Sequence, residues 1–536
     1  MKSILHKLIG CVAILLLTTA CQDTFLEETP LAFLSPEGAL VNKAGFESAI
    51  AAIHQAARDE FNSANATGGF NLQLGTDVAT TGDETIQAFK NYEATVTPNS
   101  GLAGSAWNWA YRTMLVRANA VIDYAQRPAA VWANEAEKNA IIAEARFFRA
   151  YTYNGLANTY GGVPIVDRIY EEPKLDFVRA SRQEVYDFAR QDLEFAAQWL
   201  PETTTQPGRI VKAAAQHLLA EVYISLGEYD KAIASASAVI GSGQFNLMTT
   251  RFGTQATQPG DVYADLFKDG NQNRSAGNRE TIWALQFEFQ APGGLAGPNA
   301  NVGNIDLRGW GSFYASARAP NGSVAMVVAD SLGRGVGWVR GTNYLFYDLW
   351  QDDSKDMRNS PYNIRRVWYY NSPTSPFFRQ PVTYYPGLDT MQHVGPMLRK
   401  VEGGAQLGVN NGQTIKDKYM MRLAETYLLR AEAYVRKGDN VKAAEDINVV
   451  RARAKAKPAT PDQLSLDYIL DERARELTTE EQRRRTLTRF GMLVERVRKY
   501  NHRSSSSIQE KHEFLPIPQS AIDANIGAKL EQNPGY

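Results

Sequence analysis

The sequence predicts a mainly α-helical protein: a superhelical scaffold of tetratricopeptide-like helix pairs, interrupted by long, loop-rich, partly β insertions. Three observations predict it: a helix-pair motif that occurs twice in the same frame, a further copy of its first helix, and a central stretch rich in Gly, Pro and aromatics. In the first pair, Ala213 to Gly227 carries small and apolar residues at helical spacing. Gly227 stops that helix, and Tyr229-Asp230-Lys231-Ala232-Ile233 opens the next. Ala431, Tyr434, Gly438, Ala443 and Val450 then match Ala220, Tyr223, Gly227, Ala232 and Val239 without a gap. Alanine lets two helices approach closely, the tyrosine three residues on covers the neighbouring turn, and glycine permits the tight reversal between them.

The further copy is Arg146-Phe147-Phe148-Arg149-Ala150-Tyr151-Thr152-Tyr153, and Trp107 to Ala125 reads as a fourth helix of the set. The copies are dispersed rather than in tandem, so the scaffold should span residues 21–240 and 416–536 around an aromatic insertion at 241–415. Five of the nine tryptophans (Trp283, Trp310, Trp338, Trp350, Trp368) fall inside that insertion, among frequent Gly and Pro. Such a stretch reads as loops and short strands, where binding surfaces are commonly built.

Residues 1–20 have the form of a signal peptide, with Lys2 and Lys7 before the apolar run Leu8 to Leu17 and the small residues Thr18-Thr19-Ala20. Cys21 follows at once and is the expected lipidation point. Leu17 stands four residues before Cys21 rather than the usual three, so the lipobox is imperfect, and an ordinary secretory leader with an incidental Cys is the alternative reading. Cys11 would leave with the leader, so the mature chain would hold one thiol and no intramolecular disulfide. Losing Lys2 and Lys7 would take the formal net charge from −1 to −3. Near-neutrality without a basic patch argues against nucleic acid as partner.

No chemistry-bearing motif stands out. The six histidines (His6, His54, His217, His393, His502, His512) form no His-Glu-x-x-His pair, and neither a nucleophile elbow nor a phosphate loop occurs. Asp269, Asn271, Asn273 and Glu280 take calcium-loop spacing, but Arg274 stands where the sharp turn needs Gly, so no metal and no cofactor is expected. Asp352, Asp353 and Asp356 read as a solvated loop, and the charges from Glu472 to Arg485 as a solvated or ion-paired face. A glycosidase stays open as an alternative, because its two carboxylates can lie far apart in sequence.

Binding is better supported. Sugars present apolar C–H faces ringed by hydroxyls, so a glycan site needs flat aromatics flanked by amides, carboxylates or Arg. Asn304 to Asn343 supplies Trp310, Phe313, Tyr314 and Trp338, with Asp306, Arg308 and Arg318 as polar partners, while Trp283 and Trp368 read as core.

Several segments resemble the SusD/RagB family, the nutrient-capturing surface lipoproteins of Bacteroidota. The resemblance rests on Ala145 to Tyr153 followed by Tyr160-Gly161-Gly162-Val163-Pro164-Ile165, and on Tyr419 to Tyr434. It continues through Glu472-Arg473-Ala474-Arg475-Glu476-Leu477, Glu480 to Arg484 and Arg489-Phe490-Gly491. Leu515-Pro516-Ile517-Pro518-Gln519 and Gln532-Asn533-Pro534-Gly535-Tyr536 close the chain as the family does. The resemblance implies a non-enzymatic, lipid-anchored, outward-facing outer-membrane protein. It would bind oligosaccharide and sit as a lid on a SusC-like TonB-dependent transporter, with peptides as the alternative cargo. It further implies that an N-terminal loop shares the ligand with the insertion; here that loop is Asp77 to Tyr92, with Asp83, Phe89, Asn91 and Tyr92 as contacts.

Overall fold

The computed structural model describes residues 35–61, 69–288, 303–329, 331–353, 355–404 and 412–536. The leader and Cys21 lie outside the described residues. The N-terminal scaffold comprises α1 (Lys43–Asp59), α2 (Gly101–Trp109), α3 (Leu115–Tyr124), α4 (Glu135–Tyr160), α5 (Arg182–Trp199), α6 (Lys212–Ser225) and α7 (Tyr229–Ile240). The C-terminal part comprises α8 (Leu423–Lys437), α9 (Asn440–Arg453), α10 (Leu466–Leu477), α11 (Arg483–Phe490) and α12 (Leu493–Tyr500). The fourth helix foreseen at Trp107 to Ala125 is two helices, α2 and α3, joined by a π-helical turn at Ala110–Met114.

Helix α4 is the axis of the N-terminal half. Asn134 caps it by accepting from the Glu137 amide, and Glu135 and Glu137 place negative charge at its positive end. Ala143, Ala145, Phe147, Phe148, Ala150, Tyr153 and Ala157 are all buried, so packing on several faces holds it rather than one amphipathic stripe. Arg149 is buried there too, forked onto Asp192 of α5 at 2.7 and 2.8 Å. The helix stops at Gly161, whose φ of +78° is a left-handed backbone that glycine tolerates. Gly162 then passes so close to Ala180 that an added Cβ would lie 2.3 Å from its carbonyl oxygen.

The repeated pairs form as the sequence predicts. Gly227 (φ +76°) and Gly438 (φ +84°) make the reversals, and Ala220 and Ala431 are fully buried at the helix crossings. The two copies are neighbours in space, because α7 packs along α8. Arg430 reaches across to Ser237 at 2.8 Å, and Lys437 pairs with Asp230.

Strand β2 (Thr281–Leu285) pairs antiparallel with β4 (Lys418–Arg422), so the insertion leaves and rejoins the scaffold across one short ribbon. The insertion is more than loops. Tyr314, Met326, Trp368, Tyr370 and Met397 build an apolar core of their own, and Trp283 and Trp350 join the main core.

The charged segment from Glu472 to Arg485 is not a solvated face: it is buried and ion-paired. Glu476 meets Arg358, Arg422 and Arg453, and Glu472 meets Arg358, Arg451 and Arg475. Those guanidiniums outweigh the effect of burial and hold the Glu476 carboxyl down at about 2. The acidic loop is corrected in the same way. Only Asp352 is open to solvent; Asp353 accepts from Arg451 at 2.9 Å, and Asp356 is buried against Arg358 at 2.6 Å. The calcium-like spacing is likewise used up internally. Both oxygens of Glu280 are taken by Arg422 and Arg453, while Asn271 and Asn273 bond to neighbouring chain and to Asp417.

Candidate functional site

Three consecutive arginines at the start of α11 position the N-terminal loop. Arg483 forks onto Asp77 at 2.6 and 2.9 Å, and Arg496 of α12 joins the same carboxylate at 2.8 Å. Arg484 bonds the Asn71 and Leu74 carbonyls and the Tyr92 hydroxyl, and its guanidinium lies 3.8 Å from the Phe89 ring centre. Arg485 reaches Glu60 at 2.8 Å. Asp77 keeps its charge although wholly buried, because two guanidiniums hold its carboxyl at about 2.

The loop so fixed pairs with the insertion. Strand β1 (Ala79–Thr81) runs antiparallel to β3 (Val339–Gly341), with Ala79 opposite Gly341 and Thr81 opposite Val339. The pairing extends one residue further, where the Gly82 amide donates to the Trp338 carbonyl at 3.0 Å. Asp83 follows directly, its carboxylate turned onto the Thr85 amide and hydroxyl at 2.9 and 2.7 Å. Gly82 is required at this crossing: a Cβ there would sit 2.4 Å from the Gly337 carbonyl oxygen.

Trp338 is half-buried, edge-on to Phe70 at 6.4 Å, with the Arg308 guanidinium 5.1 Å from its ring centre. Gly337 donates to the Gly311 carbonyl, and this links the Trp338 backbone to the segment carrying Phe313. Phe313 is also half-buried, edge-on to His393 at 5.8 Å and faced by Arg334 at 6.0 Å. Its amide donates to the Gln392 carbonyl at 2.8 Å. Asp83, Trp338 and Phe313 thus lie on segments bonded to one another through Gly82, Gly337 and Gly311, each half-buried, and Arg318 is exposed.

The structure therefore divides the predicted ligand residues. Asp83, Phe313 and Trp338 keep part of their surface open. Asn91 is exposed but is occupied in capping Tyr92–Thr95. The other four rings are closed by their own neighbours. Phe89 and Tyr92 lie against Arg484; Trp310 is 4 % exposed and donates to Gln73 at 2.6 Å; and Tyr314 stacks on Trp368 at 5.4 Å and donates to the Gly333 carbonyl at 2.8 Å. Trp and Tyr bury large rings favourably where the polar tip finds a partner, and each of these tips has one. Sequence reasoning missed Arg334, although it lies within Asn304 to Asn343, and Gln392 and His393, which come from a segment with no aromatic pattern of its own. It also missed the exposed Tyr369, which a closer look at Val367-Trp368-Tyr369-Tyr370 would have found, since alternate residues of an extended run face opposite sides.

A groove of about 750 Å³ runs between α1, residues 206–209 and the end of β2; Glu47, Ile50, His54, Arg209 and Gln286 line it, with no Trp or Tyr among the described residues of its lining. A chamber of about 90 Å³ among Tyr151, His217, Glu425 and Arg473 has room for a few waters only.

Two family models match the chain: the SusD family over residues 340–536, and a family described as "starch-binding associating with outer membrane" over residues 25–224. SusD-like protein P2 of Formosa agariphila is 26% identical over 548 residues, covering 98% of both chains. The starch-binding protein SusD of Bacteroides thetaiotaomicron is 26% identical over 444 residues, 74% of this chain and 72% of that protein. Among solved structures, surface glycan-binding protein A of Bacteroides thetaiotaomicron, in complex with laminarihexaose, superposes with a TM-score of 0.70 at 22% identity, covering 92% of this chain and 99% of that one. Both halves of the scaffold and the insertion between them are thus arranged as in these proteins, and the chain belongs to the SusD/RagB family.

Proposed function

We propose that this protein binds oligosaccharide at the cell surface, without catalysis, and delivers it to a SusC-like TonB-dependent transporter in the outer membrane. The β1–β3 pairing carries the reading. It joins the N-terminal loop that carries Asp83 to the insertion that carries the half-open rings of Trp338 and Phe313, faced by Arg308 and Arg334. Flat rings bordered by charged and amide groups suit the two chemistries of a sugar, its apolar faces and its hydroxyls. Phe89, Tyr92, Trp310 and Tyr314 then act from behind, as supports for that surface. Relatives bearing glycan-binding names, and a matching family described by its association with the outer membrane, support the cargo and the location. Lipidation at Cys21 would supply the anchor.

Several prominent carboxylates are unsuited to glycosidase work. Glu280, Glu472 and Glu476 are fully buried, and each is held by two or more guanidiniums, so none is poised to give or take a proton at a substrate. Calorimetry with a panel of neutral and charged oligosaccharides tests the reading. Trp338→Ala should weaken binding by more than about tenfold, the scale of a truncated aromatic anchor, with unchanged thermal unfolding. Undiminished binding, or release of reducing sugar by the purified protein, would reject it.

A further inference from the structure

The N-terminal loop is held from a second side, by the segment that follows α12. Asn501 donates to the Thr76 and Ala79 carbonyls at 2.7 and 3.1 Å, where the loop enters β1. Ser504 donates to the Phe89 carbonyl at 2.7 Å, and Ser507 accepts from the Tyr92 amide at 3.0 Å. Arg503 pairs with Glu84, Lys511 pairs with Glu93 at 2.9 Å, and the His512 ring lies 5.2 Å from that of Tyr92. Asn501 and Ser504 are buried, so their hydrogen bonds to the loop are closed from water.

Phe89 shows what these contacts do. Its φ of +55° is a left-handed backbone that bulky residues seldom take, and such a conformation persists only where its surroundings over-determine it. Here the Phe89 amide donates to the Thr95 hydroxyl at 3.3 Å, Arg484 faces the ring at 3.8 Å, and Ser504 holds the carbonyl. From Phe89 back to Asp83 the chain is tightly turned. The Lys90 amide donates to the Gln87 carbonyl at 3.0 Å, and the Ile86 amide to the Asp83 carbonyl at 3.2 Å. The Lys90 ammonium also pairs with Glu84, next in sequence to Asp83. A change of shape at Phe89 is therefore passed to Asp83 within a few residues.

We infer that Ser504 and Ser507 are positioning residues for oligosaccharide binding: they touch no ligand, but through Phe89 and Tyr92 they set the shape in which the loop presents Asp83. The inference rests on the glycan-binding reading above and adds residues, outside both the loop and the insertion, on which the affinity depends.

Two measurements on the full chain test it: amide hydrogen exchange of residues 82–92, and calorimetry with laminari-, malto- and galacturono-oligosaccharides. Both would be made on the wild type, S504A and S507A. The inference expects each variant to exchange the loop amides faster and to bind the wild type's oligosaccharide about tenfold more weakly, the scale of one lost hydrogen bond. The thermal midpoint and the exchange of α4 should stay as in the wild type, and saturating oligosaccharide should return the loop of each variant to wild-type protection. S507A removes a single acceptor and carries the test if S504A lowers the thermal midpoint. Faster loop exchange with undiminished binding would overturn the inference and leave the glycan-binding reading standing, because the two serines would then only stabilise the loop. Loop exchange that neither variant changes would overturn it as well. If the wild type binds no member of the panel, the glycan-binding reading fails and the inference fails with it.

Discussion

In the C-terminal part of the chain Arg422, Arg473, Arg483 and Arg496 each meet at least two carboxylates and are closed from water. In the insertion Arg334 and Arg318 meet none among the described residues and lie against an aromatic ring or in solvent. One side chain thus does two kinds of work, and the difference lies in its surroundings. Where carboxylates converge from several segments, the guanidinium ties those segments together and fixes the fold. Where an aromatic ring or solvent faces it, as at Arg334 and Arg318, it stays outside that ion-paired network among the described residues. The two regions meet at Asp77, since the loop it anchors continues directly into the strand that pairs with the insertion.

The largest effect should come from removing that anchor. Asp77→Asn leaves Arg483 and Arg496 buried with less counter-charge and should cost about 3–5 kcal/mol, read from the midpoint of denaturant unfolding. A loss below about 1 kcal/mol would mean that the C-terminal arginines do not hold the loop. Next comes the junction of the two regions. Gly82→Ala drives a methyl against the Gly337 carbonyl and should cost about 1–3 kcal/mol while also weakening oligosaccharide binding. Full binding by this variant would separate the site from the strand pairing.

Acid should act on the paired region in two stages. His512 is enclosed by Tyr92 and Tyr536, and burial pushes its imidazole down to about 4. The unfolded chain takes that proton near pH 6.5 and the folded one only near 4, so stability is full above about 6.5 and falls as pH drops toward 4. Asp77 and Glu476 are held at about 2, so their contribution is present above the ordinary carboxylate range and is lost as pH falls from about 4 toward 2. His512→Gln should flatten the upper stage alone in melts recorded across pH. The smallest effect should be at the stacked repeats: Lys437→Ala removes an exposed pair with Asp230 and should leave the midpoint of denaturant unfolding unchanged.

Much of the scaffold was legible in the chain because helix pairs announce themselves locally. Ala220 and Ala431, Gly227 and Gly438 act within a turn or two of their own positions, so spacing alone identifies them. The closing of Trp310, Tyr314, Phe89 and Tyr92 was not legible, since Gln73, Trp368 and Arg484, which cover them, come from distant segments. A buried ring and a sugar-stacking ring read alike in sequence, because both need the same residue type.

What the sequence determined by itself was the helix pairs, their glycine reversals, the aromatic character of the insertion and the family. Each is written in short-range pattern or in motif order. Tertiary structure alone decided that α7 and α8 are neighbours, that the charged C-terminal stretch is interior, and that Trp338 and Phe313 rather than Trp310 and Tyr314 keep open surface. Burial and ion pairing depend on which remote segments arrive at the same place, and the packed chain, not the local pattern, settles that.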